Sequence, residues 1–209
     1  MSIVFLEKGE SGMDYAARRR AQAAQTEQDI LQAALALMRT RGFDHVSIRD
    51  ICRQAGITTG AFYHHFASKE DLFSKGFSPM DLHMEQALKG HEDLPPVERL
   101  QLILLAYVSF MEENGALIGR YYQRRLVHPN SAPPIDPSRY TLRAMLGCFR
   151  QAQEEGILAG GHSPEWVADF CFRHFRGVVI DWILYGHSYP LKERMLEDFA
   201  LFRLLFQAH

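Results

Sequence analysis

Cysteine is scarce in this chain: three residues in 209 (Cys52, Cys148 and Cys171), widely spaced and odd in number. That argues against a disulfide scaffold and for a reducing compartment. No Cys-x-x-Cys pair occurs, which disfavours the thiolate type of structural zinc site. No uninterrupted apolar run approaches the roughly 18 residues of a membrane span. The opening residues hold one short apolar patch, Ile3 to Leu6, then Glu7, Lys8 and Glu10, without the basic start and long apolar core of a secretion signal. A cytoplasmic location with no membrane partner is the expectation. A strong net charge is missing too. The formal total is −2, with ten basic and nine acidic residues over 1–75 and 13 and 16 over 76–209. This is not the charge that announces a nucleic-acid binder, although a small basic face is compatible with it. No HExxH, GxSxG, Walker or GxGxxG motif is present. No catalytic residue, no cofactor and no metal are therefore expected. Cys171 and His174 share a helical face, and His64 and His65 are adjacent. Neither pair carries further catalytic or metal-binding spacing.

What is present is apolar content, 47% of the chain, arranged with helical periodicity. Residues 1–25 read as a flexible tail. Their Arg18-Arg19-Arg20 run is either a solvated end or an arm that touches phosphates. Thr26 reads as the start of a helix over 26–41, with a Thr-x-x-acid capping pattern to Asp29, a stripe of Ile30, Ala33, Ala34, Leu37 and Met38, and a stop at Gly42.

A second helix is expected from Ser47, its N-cap, with Asp50 three residues on and Val46 as the hydrophobic staple. Ile48, Ile51, Cys52 and Ala55 form its stripe. Gly56 supplies a left-handed turn, and Thr58 caps a third helix through His65. Two short helices about a glycine turn are the helix-turn-helix pattern. Phe62 and Phe66 pin the third helix inward. Its other face offers Thr58, Thr59, Gly60, Ala61, Tyr63 and His64. Small first-turn residues allow close approach to base edges in a major groove, and Tyr63 and His64 can reach phosphates. Ser68 caps the next helix, and Lys69 sits where a helix dipole disfavours a cation, which an external phosphate or plain solvent screening would relieve. That helix continues through Phe77, with Pro79 as a kink or break, and ends near Gly90.

Residues 26–73 resemble the DNA-binding domain of the tetracycline-repressor (TetR) family of bacterial transcription regulators. The resemblance lies in Val46 to Ile51, Ala55 to Phe66 and Ser68 to Leu72, and departs at Cys52-Arg53. It implies phosphate contacts for Ser47, Tyr63, His64 and Lys69, and base-facing positions for Thr58, Thr59, Gly60 and Ala61. It implies an all-α homodimer bound to double-stranded operator DNA, with a C-terminal domain for a small-molecule effector. The organisation expected is a tail over 1–25, a three-helix domain over 26–73 and a ligand-binding and dimerisation domain over 74–209, with about nine helices in all.

Past a linker at 91–96, a helix is expected from Val97 to a stop at Asn114-Gly115, then a shorter one over 116–127. A proline-rich loop follows at 128–137, a helix over 138–155, a Gly160-Gly161 loop and a Ser163-capped helix over 164–185. The last of these is apolar nearly all round and must be covered all round. With a final helix over 190–207 it predicts a four-helix dimer interface, with Cys171, Phe175, Val178, Phe199 and Phe202 in it. Residues 175–184 and 189–191 resemble the AcrR-like branch, which regulates multidrug efflux. Met84, Leu88, Leu104, Tyr107, Met111, Tyr122, Phe149, Phe172 and Trp182 are candidates for a ligand pocket or for plain core. Asp181 is expected to be partly buried, either paired with Arg173 or Arg176 or facing a cationic ligand. The function expected is a ligand-responsive repressor of efflux or detoxification genes. The alternative is a regulator of metabolism that answers to an acyl or aromatic metabolite.

Overall fold

Helix propensity dominates this chain, and the computed structural model contains helices and no strand among its described residues, which are 10–73, 78–127, 138–158 and 161–206. Eight α-helices are present: α1 (Glu10–Arg41), α2 (Ile48–Ala55), α3 (Thr59–His65), α4 (Ser78–Leu88), α5 (Pro96–Val127), α6 (Tyr140–Glu154), α7 (Pro164–Leu184) and α8 (Leu191–Phe202). Short 3-10 turns occupy Phe43–His45, Glu70–Phe73 and Arg203–Phe206. Contacts divide the chain into two compact units, Met1–Gly76 and Phe77–His209.

In the first unit, α1 packs on α2 and α2 on α3. Ile30, Leu31, Ala34 and Met38 of α1 meet Ile51, Cys52, Phe62 and Phe66 in a buried core. The start expected at Thr26 is overturned: α1 runs unbroken from Glu10, and Thr26 donates its hydroxyl back to the Gln22 carbonyl at 2.9 Å, a mid-helix bond rather than a cap. The Ala-, Gln- and Arg-rich sequence before Thr26 has high intrinsic propensity and simply continues the helix. Residues 1–9 of the expected tail lie outside the described residues.

In the second unit, α5 is the central rod, with α4, α6, α7 and α8 against it. Leu100, Ile103, Leu104, Tyr107, Val108 and Met111 are buried along it. Over Pro96–Gln123 this helix is long and apolar enough, by length and composition, to cross a membrane, although charged residues interrupt the segment and more than half of its apolar window is buried in the protein. Its apolar side is instead taken up by the neighbouring helices. The stop expected at Asn114-Gly115 is also absent. Asn114 is buried and donates its side-chain amide to the Phe110 carbonyl at 2.8 Å, which keeps the helix going. Gly115 is there for room: a Cβ at this position would lie 2.9 Å from the Trp182 ring. Arg99 ties α5 to its surroundings, donating to Glu92 O at 2.8 Å and Gln151 Oε1 at 2.9 Å. Pro79 sits in the first turn of α4, where it breaks no helical bond. The proline-rich loop at 128–137, Phe77, Gly160 and Gln207 lie outside the described residues.

Candidate nucleic-acid interface

The helix-turn-helix is built by its caps. Ser47 Oγ accepts the Asp50 amide at 3.2 Å, and the Asp50 carboxylate accepts the Ser47 amide at 3.0 Å, a complete capping box. The two hydrogen bonds from Ser47 hold the Asp50 carboxyl below its ordinary range, with Arg53 adding a smaller pull. Val46 is buried beneath this box. Gly56 ends α2 at φ 67°, ψ 29°, and its left-handed backbone turns the chain. Thr58 Oγ1 then accepts the Ala61 amide at 3.1 Å and starts α3. Phe62 and Phe66 are fully buried, with ring centroids 5.6 Å apart. Each contributes about 2–3 kcal/mol through burial, so α3 is held rigidly from one side.

The opposite side of α3 is open. Thr58, Thr59, Gly60, Tyr63 and His64 are exposed and Ala61 is half-buried. Tyr63 has more than half of its surface free. His65 is turned the other way, half-buried, with Nδ1 3.9 Å from Glu27 of α1. The structure thus gathers Thr58, Thr59, Gly60, Ala61, Tyr63 and His64 on one accessible surface.

Two of the expected phosphate contacts have other work. The Ser47 hydroxyl is exposed, yet it donates to the Asp50 carboxylate at 2.5 Å. Lys69 is half-buried and turned inward, donating to the carbonyls of Phe43 at 2.8 Å and Val46 at 2.9 Å, with the Phe43 ring 4.1 Å from its ammonium. The expectation that Lys69 needs an external phosphate rested on an α-helix starting at Ser68. The segment after it is a 3-10 turn, Glu70–Phe73, and the protein's own carbonyls satisfy the charge. Ser68 does cap that turn, accepting the Asp71 amide at 3.1 Å. Arg49 and Arg53, four apart on α2, were passed over in the sequence. Both are exposed, on the side of α2 opposite the buried Ile51 and Cys52.

In the second unit, the ligand candidates divide. Leu104, Tyr107 and Phe172 line one cavity together with Leu100, Ile103, Thr141, Met145 and Phe175. Its volume is about 10 Å³, the room of a single water. Thr141 Oγ1 is buried with no hydrogen-bond partner. Burial pushes the Tyr107 hydroxyl well up in pKa, with Tyr122 adding to the effect and Arg176 opposing it; Tyr122 itself is pushed up to about 12 by burial. Met84, Leu88, Met111, Tyr122, Phe149 and Trp182 are not on this lining. Phe149 stacks on Phe206 at 5.4 Å, and Trp182 donates its indole N–H to the Tyr189 carbonyl at 3.0 Å.

The interface candidates need correction. Cys171, Phe175, Phe199 and Phe202 are buried inside the protomer, and Val178 is half-buried. They lie on the inner stripe of α7 and α8. The outer stripe is Trp166 (46% exposed), Phe170 (43%), Leu184 (78%), Leu201 (69%) and Leu204 (52%). Trp166 stacks on Phe170 with centroids 5.2 Å apart. Asp181 is exposed rather than partly buried, and accepts from the Tyr189 hydroxyl at 3.2 Å. Burial pushes the Cys171 thiol far up, and His174 pairs instead with Asp198 at 2.9 Å, so these two do not form a reactive pair. No cluster of three or more metal-ligating side chains exists among the described residues.

Residues 30–75, the segment that builds this surface, match the family of bacterial regulatory proteins described as the tetR family. That match covers the helix-turn-helix segment alone. The chain is similar to the HTH-type transcriptional repressor DhaR of Mycobacterium sp. (strain GP1), 24% identical over 79% of this chain and 86% of that one. The probable acrEF/envCD operon repressor of Escherichia coli (strain K12) is 24% identical over 84% of each chain. Among solved structures, the transcriptional regulator FadR from Bacillus subtilis, in complex with stearoyl-CoA, shares the fold. Its TM-score is 0.58 and its identity 21%, covering 87% of this chain and 99% of that one. The all-α arrangement of a helix-turn-helix unit followed by a larger helical unit is the fold it has in common with that structure.

Proposed function

We propose that this protein is a ligand-responsive transcriptional repressor that works as a homodimer on a near-palindromic operator in the cytoplasm, and not as an enzyme. The observation that carries the reading is the open face of α3, Thr58 to His64, presented on a helix whose other side is locked by Phe62 and Phe66. Thr58, Thr59, Gly60 and Ala61 read base edges, while Tyr63 and His64 meet phosphates. Lys69 supports the turn at Phe43–His45 rather than the DNA. The outer stripe of α7 and α8 supplies the dimer contact, because Trp166, Phe170, Leu201 and Leu204 are large apolar side chains left exposed there.

A dimer places two recognition helices in successive major grooves, about 34–36 Å apart. An effector acts by preferring a conformation with a different spacing. The space between α5, α6 and α7 is its entry point, since it brings Leu104, Tyr107 and Phe172 to the unpartnered Thr141 hydroxyl. The effector is then an apolar or amphipathic molecule that enlarges this space on binding and offers Thr141 a partner. Efflux or detoxification genes are the targets this reading favours.

The test is an electrophoretic shift of the DNA upstream of the protein's own gene, in graded salt with competitor duplex. A regulator gives a complex that survives competitor and weakens steeply as salt rises. Equal, weak binding to every duplex would overturn the reading.

A further inference from the structure

The cavity between α5, α6 and α7 is charged at one end, and helix register shows by which residue. α5 and α7 run side by side in the same direction. Tyr107 meets Phe172 with ring centroids 6.0 Å apart. Further along, a Cβ at Gly115 would lie 2.9 Å from the Trp182 ring, and one at Gly119 3.1 Å from Ile183. Phe172, Arg176, Val179 and Ile183 follow at four- and three-residue steps, so they form the stripe of α7 that faces α5. Arg176 therefore stands one turn past Phe172, at the end of the cavity beyond Tyr107. Leu100 marks the opposite end, two turns earlier on α5.

A charge on a helix face that packs against another helix is costly unless acceptors meet it. Arg176 is half-buried and has a contact of its own in the protein, which orients it. Its guanidinium carries five N–H donors in a planar fork, the shape that takes a carboxylate at two points. The charge reaches both phenols: it works against the burial that raises Tyr107 and Tyr122. Among the described residues, no carboxylate acts on either hydroxyl and no side chain is hydrogen-bonded to it. The other walls are apolar except for Thr141. The space is a hydrocarbon slot that ends in one cation and two phenols.

We propose that the effector is an apolar acid, with its carboxylate on Arg176 and the Tyr107 and Tyr122 hydroxyls and its hydrocarbon between α5, α6 and α7 toward Leu100. The proposal rests on the regulator reading, which places an effector in this space. A carboxylate gains charge-assisted hydrogen bonds at this end. A neutral head gains less, and a cationic head meets a like charge. Met145, in the wall, gives way to the hydrocarbon because its side chain is unbranched and flexible.

The experiment is calorimetric titration of the full chain without DNA. The probes are octanoate, dodecanoate and cinnamate, the amide of each, and octylamine and dodecylamine. At least one acid is expected to bind, about tenfold or more tighter than its amide, the worth of one charge-assisted pair. Arg176→Gln should lose that preference and keep the amide's affinity, and Arg176→Lys should keep part of it. Tyr107→Phe should weaken the acid by about threefold or more. Thermal midpoints without probe check that each variant folds, and Tyr107→Phe decides the matter if Arg176→Gln does not. Failure of every acid to bind overturns the proposal. So does an amide or amine bound as tightly as its acid, or an unchanged preference in Arg176→Gln. In each case the regulator reading stands as long as the wild type selects its upstream fragment. A wild type that binds the acid through Arg176 yet selects no upstream fragment overturns the regulator reading and leaves the acid site in place.

Discussion

The Lys69 ammonium lies 4.1 Å from the Phe43 ring and 2.8 Å from the Phe43 carbonyl. These residues join the segment after α3 to the turn before α2, and with Val46 they fix where α2 begins. Replacing Lys69 with Gln should lower unfolding stability by about 1–2 kcal/mol, the worth of charge-assisted hydrogen bonds at a half-exposed site. Denaturant titration measures this. The salt slope of DNA binding should stay as in the wild type; a lower slope would return Lys69 to the phosphate contacts.

Gly115 is a matter of space. Ala at this position would drive a methyl to 2.9 Å from the Trp182 ring. The indole is also tethered to Tyr189, so it has little freedom to retreat. Gly115→Ala should cost about 1–3 kcal/mol by overpacking, despite alanine's better helix propensity. A thermal midpoint at or above that of the wild type would contradict this packing.

The capping box has a pH signature. Hydrogen bonds from Ser47 depress the Asp50 carboxyl. A carboxyl depressed on folding adds stability above its unfolded pKa, and that stability is lost as pH falls through the folded value. The carboxyl carbon resonance of Asp50 should titrate at lower pH in the wild type than in Ser47→Ala. Coincident midpoints would show that the box does not hold the charge.

The dimer contact is testable by sedimentation. Phe170→Glu and Leu201→Glu both place a charge on the outer stripe of α7 and α8. They should give a folded monomer with much weaker operator binding. A dimer that persists in both variants would move the contact elsewhere. Phe175, by contrast, lines the cavity, and Phe175→Ala should destabilise the protomer itself by about 3–5 kcal/mol.

The helix-turn-helix unit is legible in local chemistry. Ser47, Thr58 and Ser163 cap the helices their neighbours implied, and Gly56 takes the left-handed conformation its turn requires. Phe62 and Phe66 face inward because their four-residue spacing places them on one side of α3. The errors arose where distant residues decide. Asn114-Gly115 reads as a helix stop until Trp182 is seen to need the glycine's space. A helix apolar all round, such as α7, does not declare which stripe its own chain will cover. Cys171 and Phe175 turned in, and Trp166 and Phe170 turned out. Lys69 looked like a phosphate ligand because the carbonyls that hold it come from an earlier turn.

The most direct test of the account is the base preference of the wild type beside those of Thr59→Ala and Tyr63→Ala, measured over a library of operator variants. Thr59→Ala should shift preference at one or two positions per half-site by about 1–3 kcal/mol. Tyr63→Ala should weaken all sequences alike. Unchanged preferences and affinities in both variants would mean that the exposed face of α3 does not read DNA.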